Sequence, residues 1–145
     1  MNKIVKYIAL LIALTGVACK ADQIGYLDIK NANYSEKVVT FKATLDPDDP
    51  DDARMIEFHI PQQTTALQGV DASSAPIYTI EQIDSENGDS TAALAQFSIN
   101  SGDGSISLLW NHTVPPGEYI FSIGISNEDG ANFEIAASII IIMIE

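Results

Sequence analysis

Five carboxylates crowd into a short run at Asp46, Asp48, Asp49, Asp51 and Asp52, between two apolar segments. Carboxylates this close repel one another unless water or a cation bridges them, and hard oxygen ligands on a loop suit Ca²⁺. Calcium is therefore the one cofactor that these residue types suggest, with the five aspartates as its ligands. Glu57 falls where the last, bidentate ligand of a calcium loop beginning at Asp46 would stand. Pro50 and Asp51, however, occupy places where such a loop needs a ligand and a turn glycine. The alternative is a solvated acidic loop.

The raw material for catalysis is thin. His59 and His112 are the only histidines, and no third nitrogen or sulfur ligand stands with them as zinc would require. The single cysteine, Cys19, excludes an intrachain disulfide. Gly102-Asp103-Gly104 reads as a hairpin turn without a following helix, so it is no phosphate loop. Asn127-Glu128-Asp129-Gly130 is most simply a turn as well. These residues predict a protein without enzymatic activity.

Charge narrows the partners. The formal net charge is -13, and beyond Arg54 the chain has no lysine or arginine at all. Such a surface repels phosphate backbones and anionic headgroups, which excludes nucleic acid and requires that any membrane attachment come from something other than charge.

That something stands at the N-terminus. Lys3 and Lys6 precede an apolar run from Tyr7 to Val17, too short to span a bilayer comfortably, and Ala18-Cys19 follows it. Gly16-Val17-Ala18-Cys19 resembles the lipobox of bacterial lipoproteins at its last three places and departs from it at Gly16, where leucine is usual. The resemblance implies a signal peptide over 1–18, lipidation of Cys19, a short tether over 19–24 and a domain over 25–145. Lys20, rather than aspartate, after the cysteine implies the outer membrane by the same resemblance. Several acyl chains give durable anchoring, since each buried methylene contributes about 0.8 kcal/mol. A plain secretory signal with a coincidental cysteine is the alternative.

From Tyr26 onward, period-two patterning predicts strands at Tyr26–Ala32, Lys37–Thr44, Met55–Ile60, Ile77–Ile83, Ala93–Ile99, Ser105–Trp110, Glu118–Ser126 and Phe133–Ile144, and no amphipathic helix. Short strands at this spacing predict an all-β, antiparallel sandwich. Asn100-Ser101-Gly102-Asp103-Gly104 supplies the residues that a tight hairpin needs. Past it, Ile106, Leu108 and Trp110 share a face, placing Trp110 in the core, with a sugar-stacking platform near the strand end as the alternative. Ser138–Ile144 is apolar on both faces, as in a central or capped strand, or in a surface that meets another subunit.

Tyr78-Thr79-Ile80, Phe97-Ser98-Ile99, Gly104-Ser105-Ile106, Gly117-Glu118-Tyr119 and Ser126-Asn127-Glu128-Asp129-Gly130 follow one another with a spacing that resembles a cadherin-like, or related immunoglobulin-like, module. The likeness covers about half of the chain after the signal and implies the fold. It also implies that Tyr119, after Pro115-Pro116-Gly117, bonds back to backbone as a tyrosine corner. Asn111-His112-Thr113-Val114 stands where cadherins carry a calcium-binding Leu-Asp-Arg-Glu element, so the family's shared calcium sites are not implied. Signal and composition together are similar to small Gram-negative lipoproteins displayed near glycan-uptake systems. The expected function is non-enzymatic binding of an extracellular polysaccharide or protein; the alternative is an adhesin or pilus-type assembly subunit using the terminal strand.

Overall fold

The computed structural model describes residues 25–145, so the signal, the lipobox and Cys19 lie outside the described residues. Among the described residues, nine strands, β1 (Leu27–Asp28), β2 (Val38–Lys42), β3 (Gln62–Gln63), β4 (Asp71–Ala72), β5 (Ile77–Asp84), β6 (Phe97–Ile99), β7 (Ile106–Leu108), β8 (Gly117–Ser126) and β9 (Asn132–Ile144), are interspersed with two helices, α1 (Pro50–Phe58) and α2 (Ser90–Gln96). The strands form a four-stranded sheet ordered β2-β9-β8-β5, a three-stranded sheet β3-β7-β6 and a small β1-β4 pair. The protein is an all-β sandwich. Every pairing is antiparallel except β2 with β9, which run parallel with Val38 opposite Ile140 and Lys42 opposite Ile144.

The two larger sheets meet at an aromatic cluster. Phe97 of β6 packs edge-on to Phe121 of β8 with ring centroids 5.0 Å apart, and lies 6.3 Å from both Tyr119 of β8 and Phe41 of β2. The alternation along β8 determines this inner face: Tyr119, Phe121, Ile123 and Ile125 are all fully buried. Aromatic pairs at these separations add to the area they bury, which makes Phe97 the pin between the layers.

Two expected strands are corrected. Met55–Ile60 is not a strand: it lies mostly in α1. Asp49 is the cap, its carboxylate accepting from the N–H groups of Asp51 and Asp52, Pro50 occupies the first turn, and the acidic first turn faces the positive end of the helix dipole. Ala93–Ile99 is split in the same way. Asp89 caps α2 by accepting from Ala92 N–H, and only Phe97–Ile99 is strand. In both places a local capping aspartate outweighs a short apolar alternation.

The hairpin between β6 and β7 forms as expected, closed by Asn100 N–H to the Ser105 carbonyl at 2.8 Å and by Gly104 at φ +74. The corner also forms: the Tyr119 hydroxyl donates to the Pro115 carbonyl at 2.9 Å. β9 is an interior strand, paired with β8 on one side and, from Ile140 to Ile144, with β2 on the other. Ile139, Ile141 and Met143 fill the core, while Ile144 is exposed.

Candidate functional site

The acidic run is drawn into local backbone structure. Asp49 caps α1, Asp46 accepts from Asp48 N–H at 2.9 Å, and Asp52 accepts from Asp46 N–H at 2.9 Å and from Lys42 Nζ at 2.7 Å. The buried Asp52 carboxylate is held below the usual range by the Lys42 ammonium first and the Asp46 N–H second. Asp48 and Asp51 remain exposed. Among the described residues no three His, Cys, Asp or Glu side chains are grouped so as to hold a metal ion.

A different pair comes together at the C-terminal end of α1. The helix stops at His59, in left-handed backbone at φ 55 and ψ 39. Ile60 N–H then bonds to the Met55 carbonyl at 2.9 Å, and His59 N–H reaches the Ile56 carbonyl at 3.4 Å. This is the helix stop in which glycine is usual, because a Cβ crowds the left-handed conformation. Here the position carries an imidazole, which lies on the indole of Trp110 with centroids 4.8 Å apart and planes within 7°.

Trp110 itself is a correction. The strand face that buries Ile106 and Leu108 ends at Leu108, and the chain turns through Leu109–His112, with His112 N–H bonded to the Leu109 carbonyl at 3.2 Å. The turn carries the only tryptophan of the chain out of the core to a half-exposed position over His59, which is exposed. Phe58, 65% exposed, and Leu109, 59% exposed, adjoin the pair in sequence. Single exposed apolar side chains are ordinary, but here two large ones adjoin a stacked aromatic pair.

The segments that carry the two rings are fixed to one residue. Gln62, three positions after His59, receives Lys42 N–H on its amide oxygen at 2.7 Å and donates to the Lys42 carbonyl at 2.9 Å. It thereby satisfies the open edge of β2 as another strand would. His112, two positions after Trp110, accepts Val114 N–H on Nδ1 at 3.2 Å, which leaves Nε2–H to donate to the Lys42 carbonyl at 3.1 Å. Burial, the larger influence, lowers His112 from its ordinary value, and the bond to the Lys42 carbonyl opposes this. The Lys42 side chain, through Asp52, ties α1 to the same point.

Of the two histidines, then, His112 is engaged with backbone and His59 with an indole ring. The sequence reading placed His59 in a strand; the signal for its position at a helix end was Asp49-Pro50, which starts a helix whose ordinary length ends close to it.

The fold and site together define a small all-β sandwich that presents an aromatic pair at a fixed surface position. No protein-family model and no curated protein matches the chain. Among solved structures it is similar to a SusE-like surface-located polysaccharide-binding protein from the Bacteroides thetaiotaomicron heparin utilisation locus. The two are 16% identical with a TM-score of 0.49, and the match covers 79% of this chain and 16% of that one. The chain thus spans a small part of the length of that neighbour.

Proposed function

We propose that this protein is a non-enzymatic envelope lipoprotein, anchored in the outer membrane through Cys19, whose sandwich binds an extracellular polysaccharide on the His59–Trp110 platform. The observation that carries the reading is the placement of the sole tryptophan outside the core, on a half-open surface, stacked on His59, which holds left-handed backbone where a side chain is disfavoured. A planar aromatic surface suits the C–H face of a sugar ring, and its preorganisation through Gln62, His112 and Lys42 lowers the ordering cost of binding. Among the described residues no helix is long and apolar enough to cross a membrane, and anchoring is assigned to the acyl chains.

Affinity electrophoresis through gels containing a panel of polysaccharides tests the reading. Retardation by at least one glycan, lost in Trp110→Ala, is the expected result. A wild-type protein that no glycan retards sinks the polysaccharide assignment.

A further inference from the structure

The charge around the platform selects among polysaccharides. The chain holds 20 acidic residues against 7 basic ones, and none of the basic residues falls between residues 55 and 145. The turn that carries Trp110 therefore has no lysine or arginine on it or anywhere after it. On the other side, α1 carries one cation, Arg54, together with exposed Asp51 and Glu57. The last turn of α1 holds no basic residue, so the negative end of the helix dipole at His59 is not offset. The nearest lysine bonded into this region, Lys42, has its ammonium at 2.7 Å from the Asp52 carboxylate.

Sulfated or uronate-rich glycans are recognised through arginine forks and lysine charges that pair with each anionic group. Among the described residues, the segments that carry His59 and Trp110 supply a single cation, Arg54, rather than such a set. A polyanion laid on His59 and Trp110 would meet the carbonyl end of α1, the nearby charge of exposed Glu57 and the net negative charge of the chain, against the single cation that α1 carries, Arg54. An uncharged pyranose meets none of these penalties. Its hydroxyl groups would find in Asn111, the exposed residue after Trp110, both an acceptor and a donor.

We infer that the ligand of the His59–Trp110 platform is a polysaccharide without charged groups, read by ring stacking and hydroxyl hydrogen bonds, and that sulfated and uronate glycans are rejected by the field at the end of α1. The inference rests on the platform reading above and specifies its substrate class.

The test uses the soluble protein from residue 20 onward, with Trp110→Ala and His59→Gly beside it, in affinity gels at pH 8. Neutral gels contain dextran, xylan, mannan or galactomannan; anionic gels contain heparin or polygalacturonate. The expected result is retardation by one or more neutral glycans, insensitive to salt, and weakened about tenfold or more in both variants, which corresponds to roughly 1.4 kcal/mol. Salt insensitivity follows because an uncharged ligand leaves little Coulomb attraction to screen. Retardation by heparin or polygalacturonate that both variants lose would overturn the charge inference and leave the platform standing. Retardation by a neutral glycan that both variants retain would overturn the platform, and the inference with it. So would the absence of retardation in every gel. Circular dichroism of each variant in the far ultraviolet checks that the sandwich is intact.

Discussion

Gln62 and His112, fifty positions apart, donate to the same backbone oxygen, the carbonyl of Lys42, at 2.9 and 3.1 Å. A carbonyl has two lone pairs, and here each is taken by the segment that carries one ring of the platform. The spacing between the rings is thereby set by an edge strand of the sandwich. The relationship also makes the site sensitive to the protonation of His112.

Because burial lowers His112 in the fold, the unfolded chain binds a proton near pH 6.5 while the folded one still does not. Stability should then be flat above about pH 6.5 and fall as the pH drops below it towards the folded value, since the unfolded state binds the extra proton. Protonation would also put a hydrogen on Nδ1, facing the Val114 N–H. Thermal melts of wild type and His112→Gln between pH 5 and pH 8 check this. The slope below pH 6.5 should shrink in the variant, and equal slopes would mean that another group is responsible.

Replacement of His59 should separate backbone from ring. His59→Gly keeps the left-handed conformation and relieves the roughly 1–2 kcal/mol that it costs an L residue, but gives up a stack of about 0.5–1.5 kcal/mol, so the melting temperature should hardly move. His59→Val keeps the unfavourable φ with a β-branched side chain and should lower stability by about 1–2 kcal/mol or more. Chemical denaturation of both variants measures the difference. If valine is tolerated as well as glycine, the helix stop is not where the strain resides.

Tyr119 closes the corner between the chain before β8 and the cap of α2. Its buried hydroxyl donates to the Pro115 carbonyl and accepts from Asp89 N–H at 3.1 Å. Tyr119→Phe keeps the ring against Phe97 and strands both partners, an expected loss of about 1–3 kcal/mol. Urea melts with an unchanged slope and a lower midpoint would show it.

Anchoring is tested outside the described residues. Cells expressing the full chain should incorporate a labelled fatty acid into the protein and hold it in the outer-membrane fraction, whereas Cys19→Ala should abolish labelling. Labelled Cys19→Ala, or wild type recovered unlabelled from the soluble fraction, would count against the lipid anchor.

Much of the architecture is legible in the chain because alternation acts at short range. Ile106 and Leu108, or Tyr119, Phe121, Ile123 and Ile125, declare a buried face by their own spacing, and Asn-Ser-Gly-Asp-Gly declares a turn by its tolerance of positive φ. Less legible were α1 and α2. Met55–Ile60 alternates well enough to pass for a strand, and the deciding signal, Asp49 before Pro50, lies ahead of it in a run that also reads as a metal loop. In the structure Asp46, Asp49 and Asp52 bond to the backbone around that helix start, an outcome that turns on a few N–H directions.

Alternation by itself determined which side of β7 and of β8 faces inward, and composition determined a net negative charge. The two apolar faces of Ser138–Ile144 already pointed to a central strand, but tertiary structure alone decided that β2 runs parallel to β9 and that Trp110 leaves the face of Ile106 and Leu108 to lie on His59. The reason is one of range. Period two tells which neighbours share a face, but where a strand stops, and what covers the residue beyond it, depends on segments such as Lys42 and Gln62 that approach only after the chain has folded.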